Sequence, residues 1–333
     1  MQQEIRFATF NVCNLALPGM RFYDSLEPYM PAQYETKIAW IARQLDLLDA
    51  DVIGFQEIFS QAALKEVLAK TQKYQHAHHA GFDPDPQAER FTPSVALVSR
   101  LPLAGEVASY VDLPHQLSVP LPGMADAVTR FTRPVLRARI RISDQLAANV
   151  FVVHLKSKLP DSGIAEYAAD PLQPDIAVLR SLIRRGAEAL GLRYLAADHI
   201  RDDRMPLLIL GDFNDVAASV TTQIVLGAGD PMENGIDDRL FDGYRIQSRG
   251  DLLHDTGYTH IHEGKYETID HILVSEAFHP ASRSAIGEVV DVTYLNDHIA
   301  LRQPEASDHG IVLTRIKISG SATGVIQPPA SAI

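Results

Sequence analysis

The chain is nearly without cysteine. Cys13 stands alone in 333 residues, so neither an internal disulfide nor a multi-cysteine zinc site can form. A reducing compartment suits such a chain, and the cytoplasm is the expected location. No run approaches the roughly 20 uninterrupted apolar residues of a membrane-spanning helix, and the opening Met1-Gln2-Gln3-Glu4 passes directly into strand-like sequence. Neither a secretory signal nor stable membrane insertion is expected. Basic residues are in deficit: 30 Lys and Arg face 42 Asp and Glu, a net charge of −12. Long-range attraction to nucleic acid or an anionic membrane is therefore weak or unfavourable. A phosphate-bearing ligand needs local cations or a metal.

Several motifs are missing as well. There is no Gly-x-x-x-x-Gly-Lys-[Ser/Thr] and no strand-linked Gly-x-Gly-x-x-Gly, so a nucleotide fits better as substrate than as motor fuel or redox cofactor. The absence of His-Glu-x-x-His and Gly-x-Ser-x-Gly removes the usual signs of a zinc peptidase and of a serine-nucleophile elbow. What the chain has is core material, with 46% hydrophobic and 22% charged residues.

No Pro/Gly/Ser linker divides the chain, so one domain over 1–318 is expected, followed by a flexible tail at 319–333 of small residues and proline. Strands are predicted at 5–11, 51–56, 94–99, 136–142, 149–155, 206–210, 268–275, 286–295 and 310–318. Helices are predicted at about 33–48, where Ile38, Ile41, Leu45 and Leu48 recur at helical spacing, and near 175–199. The glycine-, proline- and histidine-rich stretch 76–93 reads as a loop, with His76, His78 and His79 exposed on it. Leu136, Ala138 and Ile140 alternate with Arg137, Arg139 and Arg141. Together with Arg130 and Arg133 these form the main basic run, either a phosphate-contacting face or the charged outer face of an edge strand. So many strands with so few helices between them predict an α/β fold of two packed sheets flanked by helices.

Nearly every apolar strand ends in a short polar cluster: Phe10-Asn11, Gln56-Glu57, His154, Asp212-Phe213-Asn214, and Ser307-Asp308-His309 before the last. Singly, each reads as a turn former or a helix cap, and Asp212 as the cap of a helix beginning near residue 216. Five in series point to chemistry. Glu57 and Asp308 are hard carboxylate ligands, Asn11 and Asn214 carry amide oxygens, and the set suits an octahedral Mg²⁺, or Mn²⁺ in its place. The histidines supply proton handling. Asp212 and Asn214, two apart on extended backbone, can face one substrate while Phe213 packs inward.

Thr9-Phe10-Asn11-Val12, Gln56-Glu57, the 94–102 segment SVALVSRLP, His154-Leu155-Lys156-Ser157, Gly211-Asp212-Phe213-Asn214, Ile269-Asp270-His271-Ile272 and Ser307-Asp308-His309 resemble, in order, the motifs of the endonuclease/exonuclease/phosphatase superfamily. This group includes pancreatic deoxyribonuclease, abasic-site endonucleases, neutral sphingomyelinases and inositol polyphosphate 5-phosphatases. The resemblance implies a four-layer α/β/β/α sandwich of two mixed sheets and metal-dependent phosphoester hydrolysis. By the same resemblance, Glu57 is the principal metal ligand, and Asn11 shares the metal shell or contacts phosphate. Asp308 binds the metal directly or through water. Asp212 orients the attacking water, Asn214 bonds a phosphoryl oxygen, and Asp270 orients His309 at the scissile phosphate. His154 matches the second histidine of the deoxyribonuclease and sphingomyelinase branches and points away from dedicated abasic-site repair. Lys156 and Lys158 read equally as charge at the rim of a phosphate site or as a solvated pair. His271 departs from the aromatic or arginine of many relatives, so the pocket wall there is expected to differ.

The expected activity is a metal-dependent phosphodiester hydrolase, with a nuclease acting on DNA or RNA foremost. Hydrolysis of a small-molecule or lipid phosphoester is the alternative, and a non-catalytic phosphate-binding protein of the same fold is the reading from another class. The loops at 15–33, 76–93, 114–134, 159–175 and 234–257 would choose the substrate.

Overall fold

The computed structural model describes residues 3–23, 26–85, 92–161, 171–228, 237–249, 257–301, 303 and 305–319. The tail expected after residue 319, and parts of the loops expected at 15–33, 76–93, 159–175 and 234–257, lie outside the described residues.

Two six-stranded mixed sheets face each other. The first runs, in spatial order, β13 (Gly287–Leu295), β14 (Ile311–Ile318), β1 (Gln3–Leu15), β2 (Val52–Ile58), β4 (Ser94–Ser99) and β3 (His78–Gly81). The second runs β5 (Ala108–Asp112), β6 (Arg130–Arg141), β7 (Ala147–His154), β8 (Leu207–Asp212), β12 (Asp270–Ser275) and β9 (Leu240–Asp242). A separate hairpin pairs β10 (His260–His262) with β11 (Lys265–Glu267). Each sheet has one parallel pair at its centre, β1 with β2 and β7 with β8. Each pair is joined by a helical crossover, α1 (Pro31–Leu48) and α3 (Gln173–Asp203).

Three apolar cores separate the four layers. Ile38, Ile41 and Leu45 of α1, with Leu64 and Val67 of α2 (Gln61–Lys70), pack on the outer face of the first sheet against Phe10 and Phe55. Phe7, Val152, Leu210 and Ile316 lie between the sheets. Leu192 and Leu195 of α3 and Val225 of α4 (Val220–Leu226) cover Phe151 and Ile209 on the outside of the second. Each such side chain contributes about 1.5–3 kcal/mol of burial. The sheets approach so closely at β2 that a Cβ on Gly54 would stand 2.9 Å from the Leu210 Cβ.

Local chemistry explains the helix ends. In α1, Pro31 occupies the first turn and the Gln33 side chain accepts from the Met30 amide at 2.9 Å, while the C-cap Asp49 is left-handed (φ 51°). Ser60 caps α2 by accepting from Ala63 N, and Ser219 caps α4 by accepting from Thr222 N. The helix expected near 216 thus begins at Val220 under its own serine.

Two expectations are corrected. The 76–93 stretch is not wholly loop, because His78–Gly81 pairs with β4 as the sheet's edge strand, and His79 is half-buried against the Gln61 side chain. Nor is the arginine-bearing β6 an edge strand, since β5 flanks it. Arg137, Arg139 and Arg141, alternating with the inward Leu136, Ala138 and Ile140, lie on the outer face, where Arg139 reaches Asp203 at the end of α3.

Candidate active site

Period-two alternation delivers the site residues to one place. On β7, β8 and β12 the residues Val152, Leu210 and Ile272 point between the sheets, so His154, Asp212 and Asp270, each two residues away, share that inner face. Phe7 puts Asn11 on the inner face of β1 in the same way. Asn11, His154 and Asp212 stand at the C-terminal ends of the two parallel pairs, where α/β sheets place their ligands. The register sets His154 beside Asp212, and Asp212 beside Asp270.

Glu57 arrives by a different route. The register between β1 and β2 shifts after Asn11 and Gln56, and Cys13, Asn14 and Glu57 all take left-handed backbone (φ 54°, 62° and 62°). Such conformations cost about 1–3 kcal/mol each and persist only where the surroundings impose them. The bulge presents Glu57 to the cleft, where Oε2 accepts from Asn14 N at 2.9 Å and Oε1 lies 3.4 Å from the Asn11 Nδ2 donor.

Asp212 is the hub. Its Oδ2 accepts from Asn11 Nδ2 at 3.1 Å and lies 3.3 Å from His154 Nε2 and 3.8 Å from His309 Nε2. Its Oδ1 accepts from the left-handed Asn214 backbone at 2.8 Å, and Asn214 Nδ2 donates to the Leu155 carbonyl at 2.9 Å. Behind His309, Asp270 Oδ2 meets Nδ1 at 2.9 Å, which fixes the ring and leaves Nε2 toward the cleft. Ser307 completes the frame: its Oγ donates to the Asn11 carbonyl at 2.6 Å and accepts from His309 N at 3.0 Å. Buried Thr259 accepts the Ile269 and Asp270 amides on its Oγ1, and the Gly310 amide on its carbonyl.

The electrostatics divide the two histidines. Burial works against charge on His309, but Asp270 and Asp212 beside it raise its pKa well above the ordinary value, so it is an imidazolium. Burial first, and then the positive charges of Arg133, His309 and Lys156, hold His154 well below. It is a neutral imidazole, and its contact with Asp212 is not an ion pair. Burial and the nearby Asp270 push Asp212 up, against the pull of His309. Protein crowding would raise Asp308, but His309 and a hydrogen bond from Cys13 outweigh it and hold the carboxyl below its usual range. Burial, with Asp308 and Glu57 alongside, pushes the Cys13 thiol up.

The structure therefore gathers Asn11, Glu57, His154, Asp212, Asn214, Asp270 and His309 into one network, with Asp308 at its exposed rim. Lys156 is placed differently. It is buried, and its ammonium donates to the Ser157 and Leu159 carbonyls at 3.0 and 2.8 Å. Lys158 pairs with Glu267 at 3.1 Å and Asp215 at 3.7 Å. His271 lies on the outer face, bonded to the Asp215 carbonyl and edge-on to Phe213.

Two residues escaped the sequence reading. Arg133, one member of the basic run, is only 7% exposed; its Nη1 donates to the Leu155 carbonyl at 3.3 Å, its Nε has no partner, and it forms no ion pair among the described residues. Tyr23 is its hydroxyl neighbour. The buried carboxylate of Glu188 balances the charge of Arg133 from beyond ion-pair distance, and the guanidinium also acts on the charge of His154. Asn14 is the other: its buried Oδ1 has no partner, although its backbone serves Glu57. Burial and left-handed backbone marked these two, and neither is visible in a residue string.

An excess of carboxylates with an orphaned amide oxygen fits a divalent cation. Two described clusters bring ligand atoms within 4.8 Å of one another, Asp212 with Asp270 and His309, and His260 with Asp308 and His309. No described helix is long and apolar enough to cross a membrane.

Comparison with known proteins agrees with this geometry. No curated protein matches the chain. An endonuclease/exonuclease/phosphatase from Bacteroides vulgatus shares the fold at TM-score 0.60 and 16% identity, over 95% of this chain and 100% of that one. The human Nocturnin catalytic domain does so at 0.54 and 14%, over 95% of each chain. The Bacteroides thetaiotaomicron mannosyl-6-phosphatase does so at 0.53 and 16%, over 94% and 99%. The model of the Endonuclease/Exonuclease/phosphatase family, whose members are generally phosphoester hydrolases, matches residues 8–309. With that match covering most of the chain and every residue of the cleft network, the chain belongs to the Endonuclease/Exonuclease/phosphatase family.

Proposed function

We propose that the protein is a Mg²⁺-dependent phosphoester hydrolase working by in-line attack of water. The observation that carries this reading is the Asp212 hub, a buried carboxylate held at once by Asn11, Asn214 and two histidines in opposite charge states. Glu57 and Asp308 would hold the cation, with Asn14 and Asn11 as amide neighbours. When bound, it supplies Lewis acidity toward charge developing on the phosphoryl oxygens. Asp212 aligns the attacking water with phosphorus and takes the proton it loses, and the leaving oxygen departs as an anion that is protonated from solvent. The imidazolium of His309, braced by Asp270, and the free amide hydrogen of Asn214 hold phosphoryl oxygens as the water oxygen–phosphorus bond forms and the bond to the leaving oxygen breaks. Neutral His154, with Arg133 behind it, lines the remaining side.

The sequence puts nucleic acid first among substrates, and the placement of cations supports a compact phosphoester more strongly. Lys156 and Lys158 are engaged by carbonyls and carboxylates, and Arg139 lies at the far end of β6 against Asp203. Among the described residues near the cleft, that leaves little to track an extended backbone on a chain of charge −12. Arg133 is suited to one further anionic group beside the scissile phosphate.

The test compares bis(p-nitrophenyl) phosphate hydrolysis with nicking of supercoiled plasmid, each with Mg²⁺ or chelator, using wild type, Asp212→Asn and His309→Ala. Diester hydrolysis that needs Mg²⁺ and both residues, without plasmid nicking, is expected. Nicking with the same dependence would return the substrate to nucleic acid. Activity persisting in both variants would overturn the site.

A further inference from the structure

His260 belongs to none of the motifs and is not needed by the hydrolytic reading, yet it stands at the mouth of the cleft. It opens the β10–β11 hairpin directly after Thr259, the residue that ties together the backbones entering β12 and β14. Its ring lies 5.1 Å, centroid to centroid, from that of His309, and His262 stacks on its other side at 6.1 Å. Asp308 completes the group, all ligand atoms falling within 4.8 Å of one another.

We propose that His260, Asp308 and His309 form a second metal site, selective for a transition-metal ion such as Zn²⁺, whose occupation shuts the enzyme off. Two imidazoles and one carboxylate make a donor set that Mg²⁺ does not favour and Zn²⁺ does. The outer shell is already in place: Asp270 holds His309 Nδ1 at 2.9 Å, the carboxylate–histidine arrangement that orients a ligating imidazole and raises its basicity. Tetrahedral bonds of about 2.0–2.1 Å put ligand atoms roughly 3.4 Å apart, so from separations of at most 4.8 Å the three groups need close by no more than about 1.4 Å. His260 can supply that movement because its hairpin is hydrogen-bonded into neither main sheet. Access is open, since Asp308 is exposed and His260 half-exposed. An ion seated there takes the lone pair of the His309 nitrogen that faces the substrate, releasing that nitrogen's proton to solvent, and it draws Asp308 away from Mg²⁺. The inhibitory consequence rests on the hydrolase reading; the binding does not.

The experiment titrates the chelator-stripped full-length protein with Co²⁺, followed by its visible ligand-field absorption, and with Zn²⁺ against a chromophoric chelator. The same is done for His260→Ala, His260→Gln and His262→Ala. One Co²⁺ site with the strong bands of low coordination number is expected in wild type and His262→Ala. Both His260 variants, with wild-type circular dichroism, should lose the bands and bind Zn²⁺ at least about tenfold more weakly. Zn²⁺ should inhibit Mg²⁺-supported diester hydrolysis in wild type, and both His260 variants should escape inhibition while keeping Mg²⁺ activity. Unchanged bands and Zn²⁺ affinity in the His260 variants, or no site in wild type, would overturn the proposal. A His260-dependent Co²⁺ site in a protein that hydrolyses nothing would uphold the metal site and remove the hydrolase reading alone.

Discussion

Replacing Asp270 by asparagine removes one charge and almost no volume, and so isolates the electrostatic role of the carboxylate behind His309. Contact is at 2.9 Å between two buried side chains. Breaking a buried ion pair costs about 3–5 kcal/mol, and the neutral hydrogen bond that asparagine retains offsets roughly 1 kcal/mol. If about 2–4 kcal/mol of imidazolium stabilisation is lost from the transition state, kcat falls about 30- to 1,000-fold. Asp270 leads the charges that raise His309 against burial, and it also raises Asp212. Both the alkaline limb, where His309 loses its proton, and the acid limb, where Asp212 gains one, should therefore move to lower pH in the variant. Stability has a matching sign. A histidine whose folded pKa is raised contributes fully below its unfolded value of about 6.5 and loses that contribution as pH rises through the folded value. The wild-type advantage in urea denaturation should thus be greatest on the acid side of that window and shrink above it. The assay is kcat for bis(p-nitrophenyl) phosphate across pH at saturating Mg²⁺. A variant within threefold of wild type, with both limbs unmoved, would refute the role given to this pair.

Two further outcomes are expected. Arg133→Met removes a buried cation without an ion-pair partner, so its thermal midpoint should be unchanged or higher. Its KM should meanwhile rise roughly 10- to 100-fold for phosphoesters carrying a second anionic group and much less for a simple diester; equal effects on both would dismiss Arg133 as a substrate contact. Gly54→Ala places a Cβ 2.9 Å from Leu210 Cβ and 3.2 Å from both Val152 methyls, and should cost about 1–3 kcal/mol in urea denaturation. A neutral result would show that the sheets can separate there.

The central strands were legible because burial on both faces leaves uninterrupted apolar runs: Ser94–Ser99 was placed to the residue, and Leu207–Asp212 to within two. The edge strands β3, β5 and β9 were not. They are short, and His78–Gly81 looks like loop sequence until β4 supplies its hydrogen bonds. Helix α2 went unread although Ser60 caps it and Ala63, Leu64, Val67 and Leu68 recur at helical spacing. Within the site, residue types at strand ends were visible, and their convergence followed from alternation on β1, β7, β8 and β12. Glu57 reaches the cleft through a left-handed bulge, and backbone of that kind leaves no trace when the residue is not glycine. The value of Arg133 depended on its burial beside His154, which only three dimensions reveal.

The Ser307 hydroxyl bonds the Asn11 carbonyl across 296 positions of sequence, and β1 is zipped between β2 and the last strand, β14. The first and the last described strands are thus neighbours in one sheet. During synthesis, β1 and β2 can emerge and pair early, but the cleft has no His309 until the segment leading into β14 has been made. A chain that stops before Ser307 carries the acids and amides without His309 and its bracing serine. The cleft is thus a joint product of the first and the last described strands, and neither forms it alone.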